Sequence, residues 1–189
     1  MQQIQYILNL SYFSCIRNKI LIYYLLFLLI KINLGRVKSV EIKRVTTHSD
    51  LKKVFEIRKE VFVAEQGVPL EDEFDHFDTL DNLCEHILVY YKEFPVGTGR
   101  IRVAEGLGKL ERICILKPYR KFGLGKAIIQ ALEEIAKEKG ISRVKLHGQT
   151  QAEEFYHKLG YQTSSTIFYE DGIPHVLMQK ELITDLKRS

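Results

Sequence analysis

Paired cysteines are missing from this sequence, and so is any spacing that lets cysteine or histidine hold a metal. Its three cysteines, Cys15, Cys84 and Cys114, are odd in number and widely spaced, and no CxxC pair occurs. That excludes a disulfide framework and a zinc site, and a reducing cytosol suits such a chain best. The histidines at 48, 76, 86, 147, 157 and 175 show no HxxxH spacing, so no metal is expected. A strong charge of one sign is also absent. The 28 basic and 24 acidic residues leave a net +4, and the two signs interleave, as in Lys137-Glu138-Lys139. A solvated surface explains such charges, and no nucleic-acid partner is expected. With 46% apolar and 28% charged residues over 189 positions, the chain suits one domain with a real core, plus an appendage.

That appendage is residues 1–39. Its apolar run Ile20–Ile30 follows Arg17 and Lys19 and precedes Lys31. Its 11 residues fall short of the roughly 20 that a membrane-crossing helix needs. Basic residues ahead of an apolar run resemble a signal peptide, but Lys31-Ile32-Asn33-Leu34 gives no small-x-small cleavage site. Three readings stay open: a short anchor giving weak membrane association through Ile20–Ile30, a helix packed on the domain, or an upstream stretch included by a start placed too early. Apart from such association, a cytoplasmic protein is expected.

From Val40 onward the pattern is regular. Glu41–Val45 alternates and reads as a strand. Thr47 caps a helix, with Asp50 three residues on, and Leu51, Val54, Phe55, Val61 and Phe62 mark its apolar face as far as Gly67 and Pro69. An acidic, irregular stretch follows, from Glu71 to Asp81. Strands are expected at His86–Tyr91, Val96–Val103 and Lys109–Leu116, then an amphipathic helix at Gly123–Lys139 stopped by Gly140. A strand at Ile141–Leu146, a short helix at Ala152–Leu159, and strands at Tyr161–Phe168 and His175–Glu181 complete the chain, the last two joined by Asp171-Gly172. The order predicts an α/β (α+β) domain over residues 40–182, a mixed sheet with helices on both faces.

The chemistry centres on Arg120-Lys121-Phe122-Gly123-Leu124-Gly125, between a strand and a helix. A helix start leaves backbone N–H groups unpaired, and its dipole favours an anion there. Glycines at 123 and 125 admit a pyrophosphate close to the backbone, and Arg120 and Lys126 add positive charge. Two rivals are excluded. The dinucleotide fingerprint needs a glycine where Lys121 stands, and a P-loop needs Ser or Thr after Lys126, where Ala127 stands.

The stretch from Leu110 to Ala127 resembles the acetyl-CoA motif of the GNAT acetyltransferase superfamily, and Phe155-Tyr156-His157-Lys158-Leu159-Gly160-Tyr161 resembles that family's segment after the next strand. Arg58–Gln66, Glu73–Asp78 and Glu170–His175 are similar to its ElaA/YjcF-like branch. The resemblance spans about Val40 to Glu181. It implies an acyl-CoA N-acyltransferase fold with a mostly antiparallel sheet, and acetyl transfer from acetyl-CoA to a small-molecule or protein amine in a ternary complex. Arg58, Phe62, Asp75 and Asp78 also resemble the pattern in acyl-homoserine-lactone synthases, which share this fold but usually carry tryptophans in this part; the chain has none. A non-catalytic acyl-CoA sensor is the other alternative. A homodimer stays open.

Residue by residue, the resemblance implies that Ile113, Cys114 and Ile115 pair through their backbone with the pantetheine arm, and that residues 120–126 hold the pyrophosphate. The thioester would lie near Leu146–Gly148, where two strands part. Tyr156 matches the general acid that protonates the leaving thiolate. Glu111 is the first base candidate, working through a water; its alternative is an exposed carboxylate paired with Arg112. His147 is the second. Cys114 invites an acyl-cysteine route, but a buried strand cysteine without an activating partner is the preferred reading. Arg58, Phe62, Glu65, Gln66, Asp75, Asp78 and His147 are the acceptor-site candidates.

Overall fold

A computed structural model describes residues 40–81 and 83–182. All three readings of residues 1–39 lie outside the described residues. Among those described, no helix is long and apolar enough to cross a membrane.

Strand β1 (Val40–Arg44) leads into helix α1 (His48–Arg58). Thr47 caps this helix: its hydroxyl accepts the Asp50 amide at 3.2 Å. The helix does not run on unchanged to Gly67, as periodicity suggests. From Lys59 to Glu65 it widens into a π-helix, in which the Gln66 amide reaches back to the Val61 carbonyl at 3.2 Å. The acidic stretch is also less irregular than expected, since Pro69 starts a single turn, α2 (Leu70–Glu73).

Strands β2 (Cys84–Tyr91), β3 (Phe94–Ala104) and β4 (Leu107–Ile115) form an antiparallel meander. In β4, Arg112 and Ile113 together oppose a single β3 residue, so the register shifts and Arg112 takes a φ of +54°. This bulge bends β4, which rejoins β3 at Cys114 and Ile115. Helix α3 (Leu124–Glu138) crosses back to β5 (Arg143–Gln149), which runs parallel to β4. A short helix α4 (Glu153–Lys158) precedes β6 (Gln162–Thr163), β7 (Phe168–Glu170) and β8 (Ile173–Glu181). The expected single strand Tyr161–Phe168 is therefore two short pieces, both paired with β8. The sheet order is β1-β2-β3-β4-β5-β8-β6, and every pairing but β4–β5 is antiparallel.

Two apolar layers flank the sheet. On one face Leu124, Ile128, Ile129, Leu132 and Ile135 of α3 pack on Ile87, Val89, Leu110, Val144 and Leu146. On the other, Leu51, Val54 and Ile57 of α1 pack on Leu88 and Cys114. Adjacent β2 residues thus serve opposite layers, as strand alternation requires. Each fully buried aliphatic side chain contributes roughly 1.5–3 kcal/mol. Both helix layers are therefore fixed, and the gap in the sheet between them is where a site can form.

That gap lies between the parallel strands. β4 and β5 pair only at Gly108–Leu110 with Val144–Leu146. Beyond Leu110 and Leu146 the strands part.

Candidate active site

A cleft of about 1060 Å³ fills this opening. Phe62, Gln66 and Val68 line it from the π-helix and the loop after it, residues 109–115 from β4, and His147 and Gln149 from β5. Gly123, Gly125 and Lys126 at the start of α3 line it too, with Phe155 and Tyr156 of α4 and Glu170 and His175 around the last hairpin. The volume suits a cofactor-sized ligand.

At one end stands the helix start. Gly123 adopts φ +71°, and a Cβ placed there would have no neighbour within 4 Å. The first amides of α3 have no intrahelical partners, and Lys121 and Lys126 stand beside them in the lining. Such a helix start, with lysines beside it, suits an anionic group. Gly125 serves differently from expectation: a Cβ on it would lie 3.1 Å from Phe155 Cζ, so its bareness makes room for that ring. Two loop residues contribute backbone only. Leu124 is buried in the core, and Phe122 stacks on Tyr91 with ring centroids 4.7 Å apart. Arg120 is engaged elsewhere: its two terminal nitrogens hold both Glu65 oxygens at 2.6 Å, and its Nε donates to the Ile115 carbonyl at 3.0 Å. Glu65 is thereby committed to Arg120 rather than to an acceptor, and the guanidinium holds its carboxyl below the usual range.

The β4 edge supplies Ile113, Cys114 and Ile115 to the cleft. The Cys114 side chain points into the α1 layer, and burial pushes its thiol far above the ordinary value. A thiol buried in this way, with its thiolate disfavoured, is a poor nucleophile.

Tyr156 packs over Gly148, edge-on to Phe155 and Tyr161 at 5.1 and 5.9 Å between centroids. Burial raises its pKa to about 12, so the phenol stays protonated at neutral pH. Its hydroxyl has no hydrogen-bond partner among the described residues and its side chain lines the cleft.

Glu111 has a different occupation from the one its position suggests. Arg102 Nε donates to it at 2.7 Å, and Arg100 and Lys109 stand at 3.1 and 3.3 Å; Arg112 is not its partner. Burial works to raise its pKa, but the Arg100 charge, the Arg102 hydrogen bond and Lys109 prevail and lower it. A carboxylate so stabilised is a weak base.

The same network corrects three acceptor-site expectations. Arg58 is wholly buried, with Nε at 2.6 Å from Glu73 and its terminal nitrogens on Asp78 and the Glu73 carbonyl. Asp75 accepts from Arg100 at 2.6 and 2.8 Å, and Asp78 accepts from Arg100 at 2.9 Å. Arg58, Asp75 and Asp78 are therefore turned inward, not toward an acceptor. Buried charges need such partners, and here the pairs fasten the acidic stretch to β3 and β4 as one wall of the cleft. Of the other candidates, Phe62, Gln66 and His147 do face the cavity, and Gln66 accepts from Gln149 Nε2 at 3.1 Å.

Sequence reasoning missed Phe155, Gln149, Lys109 and, above all, Glu170. Glu170 lies 2.6 Å from His147 Nδ1. The two are 23 positions apart, and only the β5–β8–β7 pairing joins them.

A model of the acetyltransferase (GNAT) domain matches residues 57–182. The chain belongs to the GNAT family. Within it the protein sits in the ElaA/YjcF-like branch. It is 64% identical over 141 residues to YyaT of Bacillus subtilis, covering 75% of this chain and 95% of that protein. The uncharacterized N-acetyltransferase YjcF of the same organism is 51% identical over 132 residues, covering 69% of this chain and 92% of YjcF. The crystal structure of Escherichia coli ElaA superposes with a TM-score of 0.67 at 25% identity, covering 75% and 99% of the two chains. This GNAT protein is an acyltransferase, and its cosubstrate class is acyl-CoA. The cleft suits that class in chemistry: open amides and two lysines complement a polyphosphate, and the side of β4 left unpaired beyond Leu110 complements an extended amide-bearing arm.

Proposed function

We propose that this GNAT protein transfers the acetyl group of acetyl-CoA to a primary amine by direct attack in a ternary complex. One observation carries the reading: a single cleft is lined by Gly123, Gly125 and Lys126 at the start of α3, by residues 109–115 of β4 and by Tyr156. Residues 121–126 hold the diphosphate, and the backbone of Ile113–Ile115 aligns the pantetheine arm. The thioester then lies beyond Leu110 and Leu146, where the strands part. Phe62, Gln66, Gln149 and His147 border the acceptor side of that point.

In this scheme the amine nitrogen forms a bond to the thioester carbonyl carbon and the carbon–sulfur bond breaks. Tyr156 gives its proton to the departing sulfur and recovers one, through solvent, from the amide nitrogen. The inert Cys114 supports direct transfer over an acyl-enzyme.

Titration calorimetry with acetyl-CoA, followed by a thiol-release assay against lysine, spermidine, tyramine and histamine, tests the proposal. Binding with amine-dependent thiol release is expected. Binding without turnover of any amine favours a sensor, and no binding ends the reading.

A further inference from the structure

Two side chains in the cleft form a pair that the acid and the anion cradle do not use. His147 is the first β5 residue past the last β4–β5 pairing. Its Nδ1 meets Glu170 Oε1 at 2.6 Å, and Phe168 sits edge-on to its ring with centroids 5.0 Å apart. These contacts fix both the position and the plane of the imidazole. Its Nε2 has no partner among the described residues. The carboxylate requires a proton on Nδ1, which leaves the Nε2 lone pair open toward the cleft.

Strand geometry places this pair opposite the acid. Residue 148 packs under Tyr156, and Leu146 shares a core layer with it. His147, between them in the strand, points to the other face. The acid and the imidazole thus flank the opening from opposite sides. The other candidate base is disqualified by its contacts, since three cations hold Glu111.

We propose that His147 Nε2 takes the proton from the acceptor ammonium and that Glu170 is the residue that positions it, a role resting on the acyl-transfer reading above. The ammonium gives one proton to Nε2, and the freed lone pair attacks the carbonyl carbon. Nδ1–H stays on Glu170, whose negative charge steadies the imidazolium. Of the two remaining N–H protons, one stays on the product amide and one returns to Tyr156. The imidazolium finally releases its proton to water. Lys109, Glu111 and Arg112 of β4 line the same cleft, with Asp171 in the hairpin turn and His175 on β8, and Lys145 lies two residues before His147 on β5. Glu111 and Lys145 are already paired, with Arg102 and Glu105 respectively, which leaves Glu170 as the carboxylate in contact with the ring.

The test needs two readouts. Long-range nitrogen NMR of the full, nitrogen-15-labelled chain, with His147→Gln used for assignment, reads the neutral tautomer without any acceptor. An Nδ1–H tautomer is expected, and Glu170→Gln should abolish the preference. An Nε2–H tautomer in the native protein overturns the proposal, whatever the enzyme acetylates. In the thiol-release assay, with the fastest amine of the four above, His147→Gln should lower kcat by about 10²–10⁴-fold at unchanged acetyl-CoA affinity. It should also lose the decline in rate toward acid, while Glu170→Asp restores part of what Glu170→Gln removes. A His147→Gln enzyme with native rate and pH profile refutes the pair alone and leaves the acetyltransferase reading standing. A native enzyme that neither binds acetyl-CoA nor releases thiol refutes the acetyltransferase reading, and the tautomer still decides whether Glu170 positions His147.

Discussion

The Tyr156 ring occupies the space a side chain on residue 148 would take: a Cβ at Gly148 would lie 3.2 Å from both Cδ2 and Cε2 of the ring. Helix α4 can approach β5 this closely because residue 148 is glycine, and the approach brings a phenol into the opening between β4 and β5. Gly148→Ala must push the ring aside by a few tenths of an ångström. Small misplacements of reacting groups are costly, so kcat should fall about tenfold while acetyl-CoA affinity holds. Tyr156→Phe should lower kcat by about 10²-fold or more, again with little change in affinity. Steady-state kinetics beside calorimetry measures both; a Tyr156→Phe enzyme with native kcat removes the residue from the mechanism.

Arg58 anchors the wall of the cleft from inside. Replacing it by methionine takes a wholly buried cation from Glu73 and Asp78, leaving the first with Arg112 at 3.4 Å and the second with Arg100 at 2.9 Å. Removing one member of such a pair costs about 3–5 kcal/mol. For a domain of this size that lowers Tm by about 10 °C or more. Differential scanning calorimetry should show it, and an unchanged Tm would mean the network carries little of the fold.

Acid should loosen the same wall. Burial works to raise the Asp75 pKa, yet the Arg100 hydrogen bond and charge hold it down at about 2 against an ordinary 3.8. Hydrogen bonds from Lys43 and Lys53 hold Asp50 at about 2. Asp78 is likewise lowered, its burial outweighed by Arg58. A carboxylate with a depressed folded pKa stabilises the fold above its unfolded pKa and loses that effect as pH falls through the folded one. Tm should therefore hold down to about pH 5 and drop between about pH 4 and 2. Asp75→Asn should make that drop shallower. Equal slopes in the two proteins would contradict the assignment.

Gly123 separates backbone strain from ligand binding. Its φ of +71° strains any other residue, but the space around it is open. Gly123→Ala should cost about 1 kcal/mol of stability. Gly123→Asp sets a negative charge at the cradle and should weaken coenzyme A binding by at least about tenfold, the loss of one charged hydrogen bond. Calorimetry with coenzyme A checks this, and native affinity in the aspartate variant would relocate the anion site.

Several features were legible without coordinates because they are local. The Thr47 cap, the apolar stripe of α3 and the Asp171-Gly172 turn each depend on residues within a few positions of one another. So does the anion cradle, since Gly123 and the amides after it are consecutive. Strand ends were less legible. Tyr161–Phe168 looks like one strand, yet it pairs with β8 only in two short pieces, and that depends on the partner.

The sequence by itself determined the succession of the main strands and helices, the glycine that opens α3, and the tyrosine carried on α4. Tertiary structure alone decided which charges are spent on each other. Nothing local distinguishes Glu111, Asp75 and Asp78, held by arginines from distant segments, from Glu170, whose carboxylate meets His147 in the cleft. The physical reason is that a carboxylate's role follows from its burial and its nearest cation, and both are set by strand register across the sheet rather than by neighbours in the chain.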